Sequence, residues 1–200
     1  HDVHAVPRGS RDCPGCPAYA QKTQEAGVTR RLDGIVDGGH PLRLVSRTEE
    51  DTIRVGESMA LFAFPGLVVL LIGDLGAGKT TLVRGFCRAR GCSNVRSPSF
   101  TLVNRYECRE GAIIHADLYR LGRVDPEELD MEDYMDEEPV LFIEWADRGL
   151  PWSFDQVWTV RFGHAGDDGS REITLSAEGD RAISVLDAFA EDYPGGMTGV

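Results

Sequence analysis

At 200 residues the chain is long enough for one domain with a full hydrophobic core and short for two. An apolar fraction of 42% and a charged fraction of 27% are those of a soluble globular protein. The longest apolar run, 66–72, is far short of the roughly 20 residues that a membrane span needs. A formal net charge of −12 argues against a DNA-binding role and against gripping RNA directly, since both work through clustered Lys and Arg.

No stretch near the start has the charged and apolar segments of a signal peptide, so the cytoplasm is the expected compartment. The cysteines (Cys13, Cys16, Cys87, Cys92, Cys108) are odd in number and irregularly spaced, and are expected to be mostly reduced thiols rather than a disulfide framework. Residues 1–44 read as a disordered extension, rich in Gly, Pro and Arg and without sustained apolar periodicity. Within it, Val6-Pro7-Arg8-Gly9-Ser10 resembles the thrombin-cleavage linker of expression vectors. Cys13 and Cys16 have the spacing of half a zinc site, but no second pair follows.

The ordered domain is expected over 45–192, with 193–200 as a flexible tail. The segment 46–52 gives a helix start, after which Ile53, Gly56, Met59 and Ala60 share one helical face. Pro65-Gly66 stops that element. The continuous apolar run 67–72 has the signature of a strand buried on both faces. A Gly-rich turn follows at once, then a helix over 80–90 with Leu82, Val83 and Phe86 inward. Further strands are expected over 101–106, 112–116 and 140–143. In 125–138, nine of fourteen residues are acidic, which reads as a solvated helix face and loop. A hairpin over 157–162 and 171–175 and a last helix over 182–190 complete the chain. The sum is an α/β fold: a P-loop NTPase-like central sheet flanked by helices, with a C-terminal β-hairpin.

The decisive motif is Gly73-Asp-Leu-Gly-Ala-Gly78-Lys79-Thr80, a complete G-x-x-x-x-G-K-[ST] between a buried strand and an amphipathic helix. Glycines let backbone wrap closely round phosphates, and the following helix adds its positive N-terminal end. Lys79 would reach the β- and γ-phosphates, and the Thr80 hydroxyl would ligate Mg2+. Such a site needs a carboxylate at the end of a neighbouring strand. Glu144, after four apolar residues, fits as a metal ligand, directly or through water, or as the group that polarises the attacking water. Trp145 beside it packs either on the site or in the core. Alternation places His115, Asp117 and Tyr119 on one side of their strand, which either presents an imidazole and a carboxylate to a nucleotide or forms a structural cluster. The hydroxyl-rich loop 97–101 sits where many NTPases sense the γ-phosphate. ATP is favoured over GTP because no N-K-x-D base-reading motif occurs.

Four segments in order resemble the bacterial TsaE family, the small ATPase of tRNA threonylcarbamoyladenosine (t6A) biosynthesis. They are GDLGAGKTTLVRGF (73–86), SPSFTLVNRYE (97–107), HADLYRL (115–121) and LFIEWADR (141–148). The resemblance covers roughly 48–176, with weaker matches at Thr52 with Gly56 and at 169–171. It implies Thr80 and Glu144 as Mg2+ ligands and Asp117 as a further metal-site or catalytic acid. It implies Asp74, Leu75, Gly76, Ala77, Gly78, Lys79, Thr80 and Thr81 as the phosphate-binding segment, with Thr52 and Arg171 as further nucleotide contacts. It also implies a partner, the TsaB-TsaD heterodimer, whose TsaD subunit modifies adenosine 37 of tRNA. ATP hydrolysis would reset that assembly, and tRNA would be met only through it. The alternative is a small-molecule kinase of the P-loop class. A kinase lid would carry several arginines, yet no Arg or Lys occurs between Arg123 and Arg148.

Overall fold

The computed structural model describes residues 41–92, 94–120, 137–148, 150, 152–166 and 169–193. The expectations for 1–40, for most of the acidic segment 125–138, for Cys13 and Cys16, and for 194–200 lie outside these residues. Seven strands form one sheet: β1 (Leu42–Ser46), β2 (Val68–Ile72), β3 (Val103–Cys108), β4 (Gly111–Asp117), β5 (Val140–Glu144), β6 (Val157–His164) and β7 (Arg171–Glu178). Among the described residues three α-helices accompany them: α1 (Glu49–Phe62), α2 (Lys79–Ala89) and α3 (Asp180–Asp192). No helix among the described residues is long and apolar enough to cross a membrane.

The sheet order is β1-β7-β6-β2-β5-β4-β3. Strands β6, β2, β5 and β4 run parallel, and β3, β7 and β1 are antiparallel to their neighbours. Strands β2 and β5 lie inside this parallel core, and every residue of both is buried. Alternate residues divide between two cores. One face packs Leu71, Phe142 and Trp158 against α1, α2 and α3, and Phe86 meets Phe142 edge-on at 4.8 Å. The other face packs Leu70, Ile143 and Val157 with Leu102, Trp145, Trp152 and Phe154 from connecting segments.

Strand β1 corrects the boundary drawn between residues 44 and 45, which falls inside it. Its alternation of buried Leu42, Leu44 and Ser46 with exposed Arg43 and Val45 is that of an edge strand, and it pairs with β7. The helix-start segment 46–52 holds the cap: Thr48 is the N-cap of helix α1, which begins at Glu49. The Thr48 hydroxyl accepts from Asp51 N at 3.1 Å and the Asp51 carboxylate accepts from Thr48 N at 2.9 Å. In that turn Thr52 and Val55 are buried, whereas Ile53 is half-buried. Helices α1 and α2 touch backbone to backbone: a Cβ at Gly56 would lie 2.1 Å from Leu82 O, and one at Gly85 would lie 2.1 Å from Ile53 O. This contact fixes the helix that carries the phosphate-binding motif.

The cysteines also depart from expectation. Cys92 and Cys108 form a disulfide, with Cα atoms 4.8 Å apart. The β3–β4 hairpin returns Cys108 to the C-terminal end of α2, where Arg109 N also donates to Arg90 O at 3.2 Å. Cys87 is free and buried, and burial pushes its thiol up to about 12.

Candidate nucleotide site

The motif lies in the connection between β2 and α2, at the C-terminal edge of the parallel strands, where ligands bind in open α/β sheets. The chain leaves β2 at Gly73 with φ 149° and enters α2 from Gly78 with φ 111°. Both conformations suit glycine, and Gly73 has no room for a side chain, since a Cβ would lie 2.9 Å from Phe162 Cβ. Between them Ala77 N donates to Asp74 O at 3.1 Å, closing the turn.

Lys79 folds back over this loop. Its ammonium donates to Gly73 O at 2.7 Å and Asp74 O at 2.9 Å, and lies 3.9 Å from the centroid of the Trp145 ring. Burial lowers its pKa, and the negative charges of Glu144, Asp117, Asp147 and Asp74 oppose that shift without cancelling it. Trp145 adopts a left-handed backbone, φ 62°, held by its N–H to Leu71 O at 2.9 Å. Such a conformation is uncommon for a bulky residue, and here it turns the ring across the loop.

Glu144 ends β5 beside the loop. The Thr80 hydroxyl donates to its Oε1 at 2.7 Å, and His115 Nε2 lies 2.9 Å from the same oxygen. Burial alone would raise the Glu144 carboxyl. The hydrogen bonds from His115 and Thr80, with the Lys79 charge, outweigh burial and hold it below the usual range. Asp117 stands opposite Glu144 in the parallel β4–β5 register. Its Oδ2 accepts from the Ser99 hydroxyl at 2.9 Å and its Oδ1 from Tyr119 N at 2.9 Å. The Ser97 and Ser99 hydroxyls are 2.6 Å apart. The hydroxyl loop is thereby tied to the acid beside the site.

A cleft of about 160 Å3 joins these groups. Leu75, Gly76, Ala77, Gly78, Lys79, Thr80 and Thr81 form one wall, and Asp117 and Glu144 face them with Ser97, Ser99, Tyr119 and Trp145. Two residues expected at the nucleotide stand outside this lining. Thr52 is buried behind the loop, its hydroxyl 2.7 Å from Ser46 Oγ and its methyl 3.5 Å from where a Gly78 Cβ would lie. Arg171 reaches across from β7 to donate to Gly76 O at 3.2 Å. Arg148 belongs with the site although no sequence expectation placed it there. Its guanidinium stacks on the Tyr119 and Trp145 rings, 4.8 Å from each, and donates to Tyr119 O at 2.7 Å. Its position three residues after Trp145 was the available signal.

The donor set fits a phosphate chain with a hard divalent cation. A hydroxyl and a carboxylate oxygen adjoin a glycine loop and one buried ammonium. No group of three or more His, Cys, Asp and Glu among the described residues could hold a metal by itself. A cation here would take its remaining ligands from phosphate and water, as Mg2+ does.

Comparison with known proteins identifies the family. The family described as "Threonylcarbamoyl adenosine biosynthesis protein TsaE" matches residues 46–173. The tRNA threonylcarbamoyladenosine biosynthesis protein TsaE of Bacillus subtilis (strain 168) is 39% identical over 136 residues, covering 66% of this chain and 83% of that protein. The protein of the same name from Haemophilus influenzae is 36% identical over 151 residues, covering 71% and 93%. The crystal structure of Bacillus subtilis YdiB superposes with a TM-score of 0.62 and 31% identity, covering 76% of this chain and 95% of that one. The family match spans well over half of the chain, and the chain belongs to that family: the TsaE family of threonylcarbamoyl adenosine biosynthesis proteins.

Proposed function

We propose that this protein binds ATP with Mg2+ in the cleft at Lys79 and hydrolyses it slowly, in support of tRNA t6A modification. The observation that carries the reading is the Thr80–Glu144 hydrogen bond at 2.7 Å, which spans from the phosphate-loop helix to the end of β5. In P-loop NTPases the corresponding hydroxyl and acid together place the cation. Mg2+ would supply charge neutralisation at the phosphate oxygens. The chain's own groups do the rest. The loop backbone and Lys79 hold the phosphates, Thr80 and Glu144 hold the cation and its waters, and Asp117 stands next to Glu144 to orient a nucleophilic water or a metal-bound one. Lys79 must leave Gly73 O and Asp74 O to reach a phosphate, so binding exchanges two neutral acceptors for an anion.

The partner under this reading is the TsaB-TsaD heterodimer, with tRNA met only through it. The net charge of −12 supports that division, because a surface of this sign repels a polyanion. Asp117 supports it too: its bonds to Ser99 and Tyr119 couple the site to surface segments that a partner can sense. Phe100, 87% exposed, stands in one of them. Calorimetric titration with ATP and GTP, with and without EDTA, tests the ligand. GTP binding as tight as ATP, or hydrolysis insensitive to EDTA, refutes it. Hydrolysis measured with and without TsaB-TsaD tests the role, and no stimulation together with tight, salt-resistant tRNA binding by this chain alone refutes it.

A further inference from the structure

Glu144 is held from behind by a side chain that neither solvent nor a nucleotide can reach. His115 is 0% exposed, and its Nε2 lies 2.9 Å from Glu144 Oε1. The placement follows from register. Parallel pairing sets His115 opposite Phe142 and Asp117 opposite Glu144, so His115 stands diagonal to Glu144 on the same face of the sheet. The other ring nitrogen, Nδ1, is the sole buried side-chain polar atom among the described residues that has no hydrogen-bond partner. The two nitrogens are therefore not equivalent. A proton on Nδ1 would be a buried donor without an acceptor, at a cost of about 1–3 kcal/mol. A proton on Nε2 has the carboxylate in front of it, and a charge-assisted bond is the stronger kind.

We infer that His115 is a positioning residue that donates from Nε2 to Glu144 and thereby sets the affinity of the site for Mg2+. The inference rests on the Mg-ATP reading. Two donors, Thr80 Oγ1 and His115 Nε2, converge on Oε1. They hold the carboxylate in one rotamer and leave Oε2 outside this pair, for the cation or its water. Groups standing behind a metal ligand in this way typically change metal affinity about 10–100-fold when removed. Because the ring is 0% exposed and stands outside the cleft lining, its effect must pass through Glu144 rather than through contact with the nucleotide.

The test compares His115→Gln with His115→Asn in the full chain. The amide nitrogen of Gln reaches the place of Nε2, whereas that of Asn reaches only the place of Nδ1. ATP binding is measured by calorimetry in EDTA and at stepped Mg2+ concentrations. His115→Asn is expected to need about 10–100-fold more Mg2+ for the half-maximal effect, with affinity in EDTA unchanged. His115→Gln should stay within about threefold of the parent, because the donor is restored. On a Glu144→Ala background the two substitutions should give the same Mg2+ midpoint, since the group they act through is gone. The imidazole 15N shifts of the unsubstituted protein should show a proton on Nε2 and none on Nδ1, a measurement that holds even if His115→Asn does not fold. A folded His115→Asn with unaltered Mg2+ dependence, an effect that adds to Glu144→Ala, or a proton on Nδ1 would each overturn the inference alone. Parent protein whose ATP binding ignores Mg2+ would instead overturn the Mg-ATP reading, and the inference with it.

Discussion

Replacing Lys79 with methionine separates what the site needs for binding from what the fold needs for stability. Lys79 is 4% exposed and its ammonium touches Gly73 O, Asp74 O and the Trp145 ring. With phosphates bound, a charge-assisted bond to one of them contributes about 1.5–3 kcal/mol. The ring contact given up in exchange is worth about 0.5–2 kcal/mol. The balance predicts that Lys79→Met weakens ATP binding by roughly 10-fold, and up to about 100-fold if the ammonium reaches two phosphates. Stability should move the other way or not at all. Burial lowers the Lys79 pKa below its ordinary 10.5, so the folded state holds this proton less tightly than the unfolded chain does. The parent should therefore gain stability as pH rises from the folded-state pKa towards 10.5, and Lys79→Met should lack that gain. Methionine also fills most of the vacated space with a flexible apolar chain. The assay pairs calorimetric ATP titration with thermal melts of the free protein across alkaline pH. Undiminished affinity would refute the placement of Lys79 at the phosphates. A large fall in Tm without nucleotide would refute the argument from burial.

Glu144→Ala and Asp117→Ala should each lower the hydrolysis rate by about 100-fold or more while ATP still binds, since the loop that holds it is untouched; normal turnover in both would reduce these acids to structural roles. Gly56→Ala sets a Cβ 2.1 Å from Leu82 O, so α1 and α2 must separate, at a cost of about 3 kcal/mol and roughly 6–12 °C in Tm. A Tm within 2 °C of the parent, by the same scale, would show that the helices give way cheaply. The Cys92–Cys108 bond spans 16 residues, for which chain entropy gives about 3 kcal/mol, so a reductant should lower Tm by a similar amount in the parent and not in Cys92→Ser.

Several elements could be read locally because their causes are local. The run 67–72 is apolar at every position because the strand is buried on both faces, and the glycines, Lys79 and Thr80 follow it within a few residues. Glu144 could be picked out as the acid that ends an apolar strand, and α1 announced itself through the helix-start segment 46–52, which contains its Thr48 cap. Alternation placed His115 and Asp117 on one side of β4, yet it could not say which of them meets Glu144. That answer depends on β4 and β5 pairing in parallel with one particular register, and 26 or more residues separate the two strands at that point.

The remaining features come from contacts distant in sequence. Strand β1 is too short to stand out by its own apolar alternation, and it exists because β7 offers an edge. Cys92 and Cys108 meet only once the β3–β4 hairpin folds back on the end of α2, so spacing gave no sign of the pair. Thr52 supports the loop from behind because Gly56 and Gly85 let two helices touch backbone to backbone. Sequence by itself determined that this chain builds a phosphate-binding loop between a buried strand and a helix, since a local turn and its neighbours are enough to specify one. Only the tertiary structure decided which hydroxyl and which imidazole converge on Glu144 Oε1, because hydrogen-bond reach of about 3 Å is set by strand register and helix packing, which a linear pattern does not contain.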